Sequence, residues 1–157
     1  MVRNKIGKYI PNFLKDKDPD ILEAAALTLT SLKMDTYNAQ LAIIMKHHTS
    51  PKVRAAMLKA LGELEYNNIE VTMKIGMQDK DRNVRTVAVG LVSQIDIPKE
   101  SLTSIVEPIF KSGSINEQQK MLSVLGDLPL QKSRDVLSSL INQGINNKLS
   151  NAVILDL

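Results

Sequence analysis

One apolar pattern recurs along this chain about every 32 residues, and this repeat limits the possible folds more than any other feature of the sequence. The copies cover residues 21–32, 53–64, 84–95, 117–128 and 149–157. A steady period of this length is typical of architectures in which one supersecondary unit is stacked on the next. The chain is therefore predicted to be one run of structural repeats.

Each copy has the spacing of an amphipathic helix. Within residues 53–64 the apolar side chains stand at positions i, i+3, i+4, i+7, i+8 and i+11, which form one face of an α-helix. Helix-capping residues precede four copies, at Asp18-Pro19, Ser50-Pro51, Asp81 and Ser114. Less regular apolar segments precede the copies, at residues 6–14, 39–47, 69–77, 102–110 and 136–141. Each repeat is therefore predicted to be a pair of antiparallel helices.

A helix pair of about 32 residues cannot bury both of its apolar faces alone, and stacking the next pair on it completes the core. We therefore expect an all-α fold, a right-handed α-α superhelix of about four and a half to five helix pairs that advances roughly 9 to 10 Å per repeat. The single domain is predicted to span residues 1–157, with repeats at about 1–35, 36–66, 67–97, 98–129 and 130–157. Because the last copy stops at Leu157 without a polar cap, we expect a fragment of a longer chain.

The repeats resemble the HEAT family of helical repeats. The resemblance is carried by the alanine-rich helices that end in leucine and by Val53-Arg54, Asp79 and Val84-Arg85. In that family an aspartate in the turn and an arginine six positions later commonly form a ladder of hydrogen bonds between neighbouring repeats. The resemblance implies an incomplete ladder in this chain, which links Asp16 to Arg54, and Asp79 to Arg54 or Arg85.

Two positions explain why this ladder is expected to be incomplete. Leu22 stands where the first repeat would have its arginine, and His48 stands where the second repeat would have its aspartate.

The C-terminal part also resembles the HEAT segment that precedes the cytochrome c domain in large secreted bacterial proteins, which combine that domain with a propeller related to sugar dehydrogenases. The residues concerned are 117–129, 136–137 and 148–157. This resemblance implies a linker and docking domain in a larger secreted haem-binding, dehydrogenase-like protein, on the periplasmic or outer side of the membrane. A free-standing cytoplasmic HEAT-repeat adaptor is the alternative.

No residue pattern in the chain points to catalysis. The sequence has no cysteine, which excludes thiol catalysis, cysteine-zinc sites and covalent haem attachment within this segment. His47 and His48 are neighbours, and neighbours on a helix point about 100° apart, so they do not suit one metal ion. Asp16, Asp18 and Asp20 lack the glycine and the closing glutamate of a calcium loop. We expect neither enzyme activity, nor a cofactor, nor a bound metal.

The charge pattern argues against nucleic acid and membrane. The net charge is +3, and the densest basic cluster consists of Arg3, Lys5, Lys8, Lys15 and Lys17. This cluster is sparser than the basic stripes that neutralise phosphates, and the absence of tryptophan removes the best base-stacking side chain. A basic nucleic-acid-binding repeat is therefore the weakest of the three hypotheses. No apolar run approaches the roughly 20 residues that a membrane span needs.

The remaining candidate surface is the outward strip of the recurring helices. Its residues are Glu23, Leu27, Ala55, Lys59, Thr86, Gly90, Gln119 and Ser123, with Asn151 and Leu155 at the equivalent places of the last copy. Such a small, mixed and almost uncharged strip suits a peptide or a neighbouring protein domain better than a phosphate backbone. The alternative is that the strip is merely solvated.

Overall fold

The computed structural model describes the backbone of residues 2–157 and the side chains from Lys5 onward, and the regular structure of this part is helical, without a strand. The helices are α1 Val2–Gly7, α2 Ile10–Phe13, α3 Pro19–Ser31, α4 Asn38–His47, α5 Pro51–Glu63, α6 Ile69–Met77, α7 Arg82–Leu91, α8 Lys99–Ser112, α9 Ile115–Asp127, α10 Leu130–Ile145 and α11 Asn151–Ile154. A short 3-10 turn, Asp35–Tyr37, precedes α4. The predicted all-α class is confirmed.

The helices contact one another in two ordered series. In the first series α3 packs against α5, α5 against α7, α7 against α9 and α9 against α11; we call these helices the B helices. In the second series α4 packs against α6, α6 against α8 and α8 against α10; we call these the A helices. Each A helix also contacts the B helix that follows it, except that no such contact is prominent between α10 and α11. The apolar faces of both series meet in one continuous core.

The start of each long B helix follows the capping residues found in the sequence. The Asp18 carboxylate accepts a hydrogen bond from the Asp20 amide, and the Asp81 carboxylate accepts one from the Asn83 amide. Ser114 forms a capping box, in which its side chain and that of its third successor each satisfy a backbone amide. Ser50 does not use its hydroxyl as a cap.

The first apolar segment, expected as one stretch over residues 6–14, is divided into α1 and α2. Pro11 explains the break, because a proline has no amide hydrogen to donate to the carbonyl four positions earlier and its ring crowds that carbonyl. The carbonyl concerned belongs to Gly7, and the Tyr37 hydroxyl donates to it instead, at 3.0 Å. The broken helix is thus attached to the turn before α4.

The fifth copy does not begin where the period places it. The helix α11 starts at Asn151, after its N-cap Ser150, so its third residue is Val153. Val53 is the third residue of α5, and both valines are fully buried. The third residue of α9 is Glu117, so the distance along the chain to Val153 is longer than the distance to Leu149 that the period predicts. The helix between them, α10, has 16 residues and is the longest of the helices described.

A close approach of three helices fixes the middle of the chain. A Cβ atom on Gly76 would lie 2.6 Å from Leu58 Cδ2 and 3.1 Å from Ala88 Cβ. Leu58 and Ala88 are fully buried, so neither can move away into solvent. The backbone of α6 therefore packs directly on side chains of α5 and α7.

Candidate functional site

A buried ion pair joins α5 to the turn before α7. Nε and Nη2 of Arg54 each donate to one carboxylate oxygen of Asp79, both at 2.7 Å. The other terminal nitrogen of Arg54, Nη1, donates to the carbonyl oxygens of His48 and Thr49, both at 2.9 Å. The side chains of Arg54 and Asp79 are only 6% and 8% exposed. A bidentate contact of this kind fixes two neighbouring turns relative to each other.

The same arrangement recurs one helix further along the B series. Arg85 on α7 donates through Nη1 to the carbonyl oxygens of Asp79 and Lys80, which stand six and five positions before it. Its Nε and Nη2 donate to the two carboxylate oxygens of Glu117 on α9, at 2.7 and 3.2 Å. These two arginines link α5, α7 and α9 into one hydrogen-bonded ladder.

The predicted ladder is formed in part. The Asp79 carboxylate pairs with Arg54, while Arg85 reaches only the Asp79 backbone and gives its ion pair to another residue. The expected link from Asp16 to Arg54 is absent, because each ladder carboxylate binds the arginine of the preceding B helix and Asp16 stands before the first one, α3. The donors of Arg54 are directed to Asp79 and the α4–α5 turn instead.

The sequence interpretation missed Glu117 as the partner of Arg85. The acidic partner was expected in the turn before the helix, whereas Glu117 lies in the first turn of α9. Its Oε2 also accepts hydrogen bonds from the amide and hydroxyl of Ser114. The Ser114-x-x-Glu117 spacing is a capping-box signature that could have drawn attention to it. Gln118 stands at the arginine position of this repeat, and its side-chain amide donates one hydrogen bond, of 2.9 Å, to the Gly113 carbonyl.

His48 makes the same local hydrogen bond as the aspartate that stands at this position in the next repeat. Its Nδ1 accepts from the Ser50 amide at 3.1 Å, as Asp79 accepts from the Asp81 amide at 2.8 Å. The previous repeat has Leu22 at the arginine position, so no guanidinium is available to pair with an aspartate at position 48. A half-buried carboxylate at position 48 would lack an ionic partner, while an imidazole nitrogen accepts the same hydrogen bond without a charge.

The two carboxylates of the ladder have depressed pKa values. Burial alone would raise the pKa of Asp79, but the hydrogen bonds from Arg54 and the Asp81 amide outweigh burial and hold it below its usual value. The hydrogen bond from Arg85 has the largest effect on Glu117, and with those from Ser114 it lowers the pKa of this carboxyl to about 2 against the opposing effect of burial. Both residues remain ionised near neutral pH.

The predicted outward strip begins with an apolar groove between α3 and α5. Leu27 is 54% exposed at its edge. The groove has a volume of about 90 Å³ and is lined by Glu23, Ala26, Leu27, Thr30, Ala56, Lys59, Ala60 and Glu63. Three of the predicted strip residues, Glu23, Leu27 and Lys59, therefore meet here, while Ala55 lies half-buried beside them.

Further along the B helices the strip is lined by small residues. A Cβ on Gly90 would find no atom within 4 Å, and Thr86 and Ser123 are exposed. Gln119 is half-buried, and its side-chain amide donates to the Ala152 carbonyl of α11 at 3.3 Å, so this residue also fastens the last helix. The structure therefore brings Glu23, Leu27 and Lys59 around one groove and leaves the α7 and α9 positions as a shallow continuation.

The described part of the chain contains neither a cluster of metal ligands nor a helix suited to span a membrane. Among the side chains from Lys5 onward, no group of three or more histidine, aspartate or glutamate residues is arranged to hold a metal ion. Within residues 2–157 no helix combines the length and the apolar character needed to cross a membrane. The Arg3 side chain, part of the predicted basic cluster, lies outside the described residues.

Comparison with protein-family models, with curated proteins and with solved structures finds no match to this chain.

Proposed function

We propose that this chain is a non-catalytic helical-repeat scaffold that docks a protein segment along the strip of its B helices. We expect these helix pairs to form a right-handed α-α superhelix like that of HEAT repeats, and the ordered contacts within the A and B series support the stacking of successive pairs. The observation that carries the docking role is the apolar groove between α3 and α5, which lies on the strip and keeps Leu27 exposed. The exposed Leu27 side chain adjoins the apolar lining, so a partner side chain in the groove would cover both together.

The lining of the groove defines what it would accept. Ala26, Ala56 and Ala60 give it an apolar floor, and its volume of about 90 Å³ corresponds to about three water molecules, which suits one branched aliphatic side chain. The charged residues at the rim are internally balanced, because Glu23 pairs with Lys52 and Glu63 pairs with Lys59. The preferred ligand is therefore a segment with one leucine or isoleucine anchor between uncharged polar residues.

The wider setting of this scaffold follows the resemblances found in the sequence. We place it as the linker domain of a larger secreted haem-binding, dehydrogenase-like protein, and the alternative is a cytoplasmic HEAT-repeat adaptor. Sequencing of the gene on both sides of this segment separates them, because a Cys-x-x-Cys-His motif downstream supports the first placement. Its absence from the complete gene would favour the adaptor.

A peptide-display selection tests the docking role. A library of random 12-residue peptides is selected on the wild-type chain and then counter-selected on the Leu27→Arg variant. We expect enriched peptides with an aliphatic anchor that lose at least about tenfold in affinity on this variant, because an arginine at the edge of the groove removes apolar contact and blocks entry. The affinities are measured by titration calorimetry.

Val71→Arg provides the matched control for this selection. Val71 lies on α6, is 60% exposed and has a similar apolar character, but it belongs to an A helix. Peptides that bind through the strip should bind the Val71→Arg variant as they bind the wild type. A selection that yields no enriched peptide, or peptides affected equally by both variants, contradicts the proposed docking role.

A further inference from the structure

We propose that the depression between the α4–α5 turn and the α6–α7 turn is a second docking site, which binds a short acidic segment of a protein partner. The depression has a volume of about 360 Å³ and is lined by Lys46, His47, His48, Thr49, Arg54, Asp79 and Lys80. It lies at the turns before the B helices, while the strip described above follows the outward faces of those helices. The two surfaces share no residue, so the inference does not depend on the groove at Leu27.

The rim of this depression carries positive charge that the chain itself does not neutralise. Lys46 and Lys80 are both exposed, and neither has a carboxylate partner among the described residues. By contrast Lys52, Lys99 and Lys132 form ion pairs with nearby carboxylates. His47, which is also exposed, adds an imidazole to the lining.

The wall of the depression offers no free anion that could compete for these cations. The Asp79 carboxylate is engaged by Arg54 through both oxygens and by the Asp81 amide. The carbonyl oxygens of His48 and Thr49, which would otherwise form a negative helix end, accept from Arg54. The buried ladder therefore leaves a rigid, neutral floor beneath a cationic rim, which suits a ligand that brings its own carboxylates.

The neighbouring turn explains why the partner is a short acidic peptide segment and not a nucleic acid. Lys52 on α5 pairs with Asp20 at the start of α3, so the turn before α3 adjoins the turn before α5. That adjoining turn carries Asp16, Asp18 and Asp20 but also Lys15 and Lys17, all exposed, so together with Lys52 it adds no net positive charge to the rim. A phosphate backbone that extended along this edge would find no further row of cations beyond Lys46 and Lys80, whereas a short acidic segment needs these two lysines alone.

The test uses the full chain and three fluorescein-labelled probes, which are a hexaglutamate peptide, a hexalysine peptide and an oligothymidylate. Binding is measured by fluorescence anisotropy at low salt and again at raised salt. We expect the wild type to bind hexaglutamate in preference to the other probes and to bind it less tightly as salt increases. The Lys46→Glu/Lys80→Glu double variant should lose about tenfold or more in affinity, because both attractions become repulsions.

Lys120→Glu/Lys148→Glu is the matched control, because it changes the net charge by the same amount at two exposed lysines outside the depression. It should keep its affinity within about twofold of the wild type. Equal weakening of both double variants would reduce the effect to net charge and overturn the proposal. So would tighter binding of oligothymidylate than of hexaglutamate, or no hexaglutamate binding at millimolar concentration. The Leu27→Arg variant should bind hexaglutamate normally, which separates failure here from failure of the docking strip.

Discussion

Replacing Arg54 by alanine is expected to lower the free energy of unfolding by about 3 to 5 kcal/mol. The variant leaves the Asp79 carboxylate, whose side chain is 8% exposed, without its ionic partner. It also removes the donor of the hydrogen bonds that the carbonyl oxygens of His48 and Thr49 accept. An unpaired buried charge costs more than the pair contributes, which is why truncation of one partner has the larger effect. Urea unfolding followed by circular dichroism measures the change.

Two further variants show whether this loss belongs to the bidentate pair. Arg134→Ala on α10 removes an exposed arginine and should change stability by less than about 0.5 kcal/mol. Arg54→Lys keeps the positive charge but cannot make two parallel hydrogen bonds to Asp79 together with those to the turn, so it should fall between wild type and Arg54→Ala. A loss below about 1 kcal/mol for Arg54→Ala would show that the ladder does not hold the turns together.

Protonation of Glu117 in acid is expected to lower the free energy of unfolding. Its pKa is about 2 in the folded chain, and its ordinary value is 4.5. Because the unfolded chain takes up the proton first, this carboxylate stabilises the fold fully above about pH 5 and loses the effect as the pH falls towards 2. With about 1.4 kcal/mol per pKa unit, the contribution is about 3 kcal/mol near neutral pH, of which about 2 kcal/mol is lost by pH 3.

Glu117→Gln removes this titration and should flatten the stability curve between pH 5 and pH 3 by about 2 kcal/mol relative to the wild type. Urea denaturation at stepped pH values provides the curve. Glu107→Gln is the control, because Glu107 on α8 is half exposed and, among the side chains that the structure describes, forms its ion pair with Lys111 one turn away. It should leave the acid slope unchanged. A Glu117→Gln variant with the wild-type slope would mean that Glu117 is not held by Arg85.

The repeat and the helix starts were predictable because both leave local marks in the sequence. The apolar spacing of residues 53–64 describes one helix face, and Asp18, Asp81 and Ser114 cap the helices as their chemistry indicates. The division of α1 from α2 was also within reach, since Pro11 cannot continue a helix. The position of α11 was missed because the period of 32 was extended across α10, although Ser150, the N-cap of α11, marks the helix start in the sequence.

The candidate site was only partly predictable, because a ladder depends on which turns meet. The sequence identified Arg54, Asp79 and Arg85 by resemblance, but it left open which arginine Asp79 would bind. The structure places Asp79 against Arg54 and gives Arg85 a partner 32 residues away, Glu117. The groove at Leu27 and the cationic rim of Lys46 and Lys80 arise from neighbouring repeats, so no single segment of the sequence reveals them.

The B helices are expected to form a linear stack, and electron-paramagnetic-resonance distances between spin labels measure this most directly. The chain has no native cysteine, so Leu27→Cys, Gly90→Cys and Ser123→Cys place labels at equivalent points of α3, α7 and α9. With one helix packed every 9 to 10 Å, the stack predicts about 20 Å from position 27 to position 90 and about 30 Å from position 27 to position 123. A 27-to-123 distance equal to or shorter than the 27-to-90 distance would indicate a closed bundle and contradict the repeat scaffold.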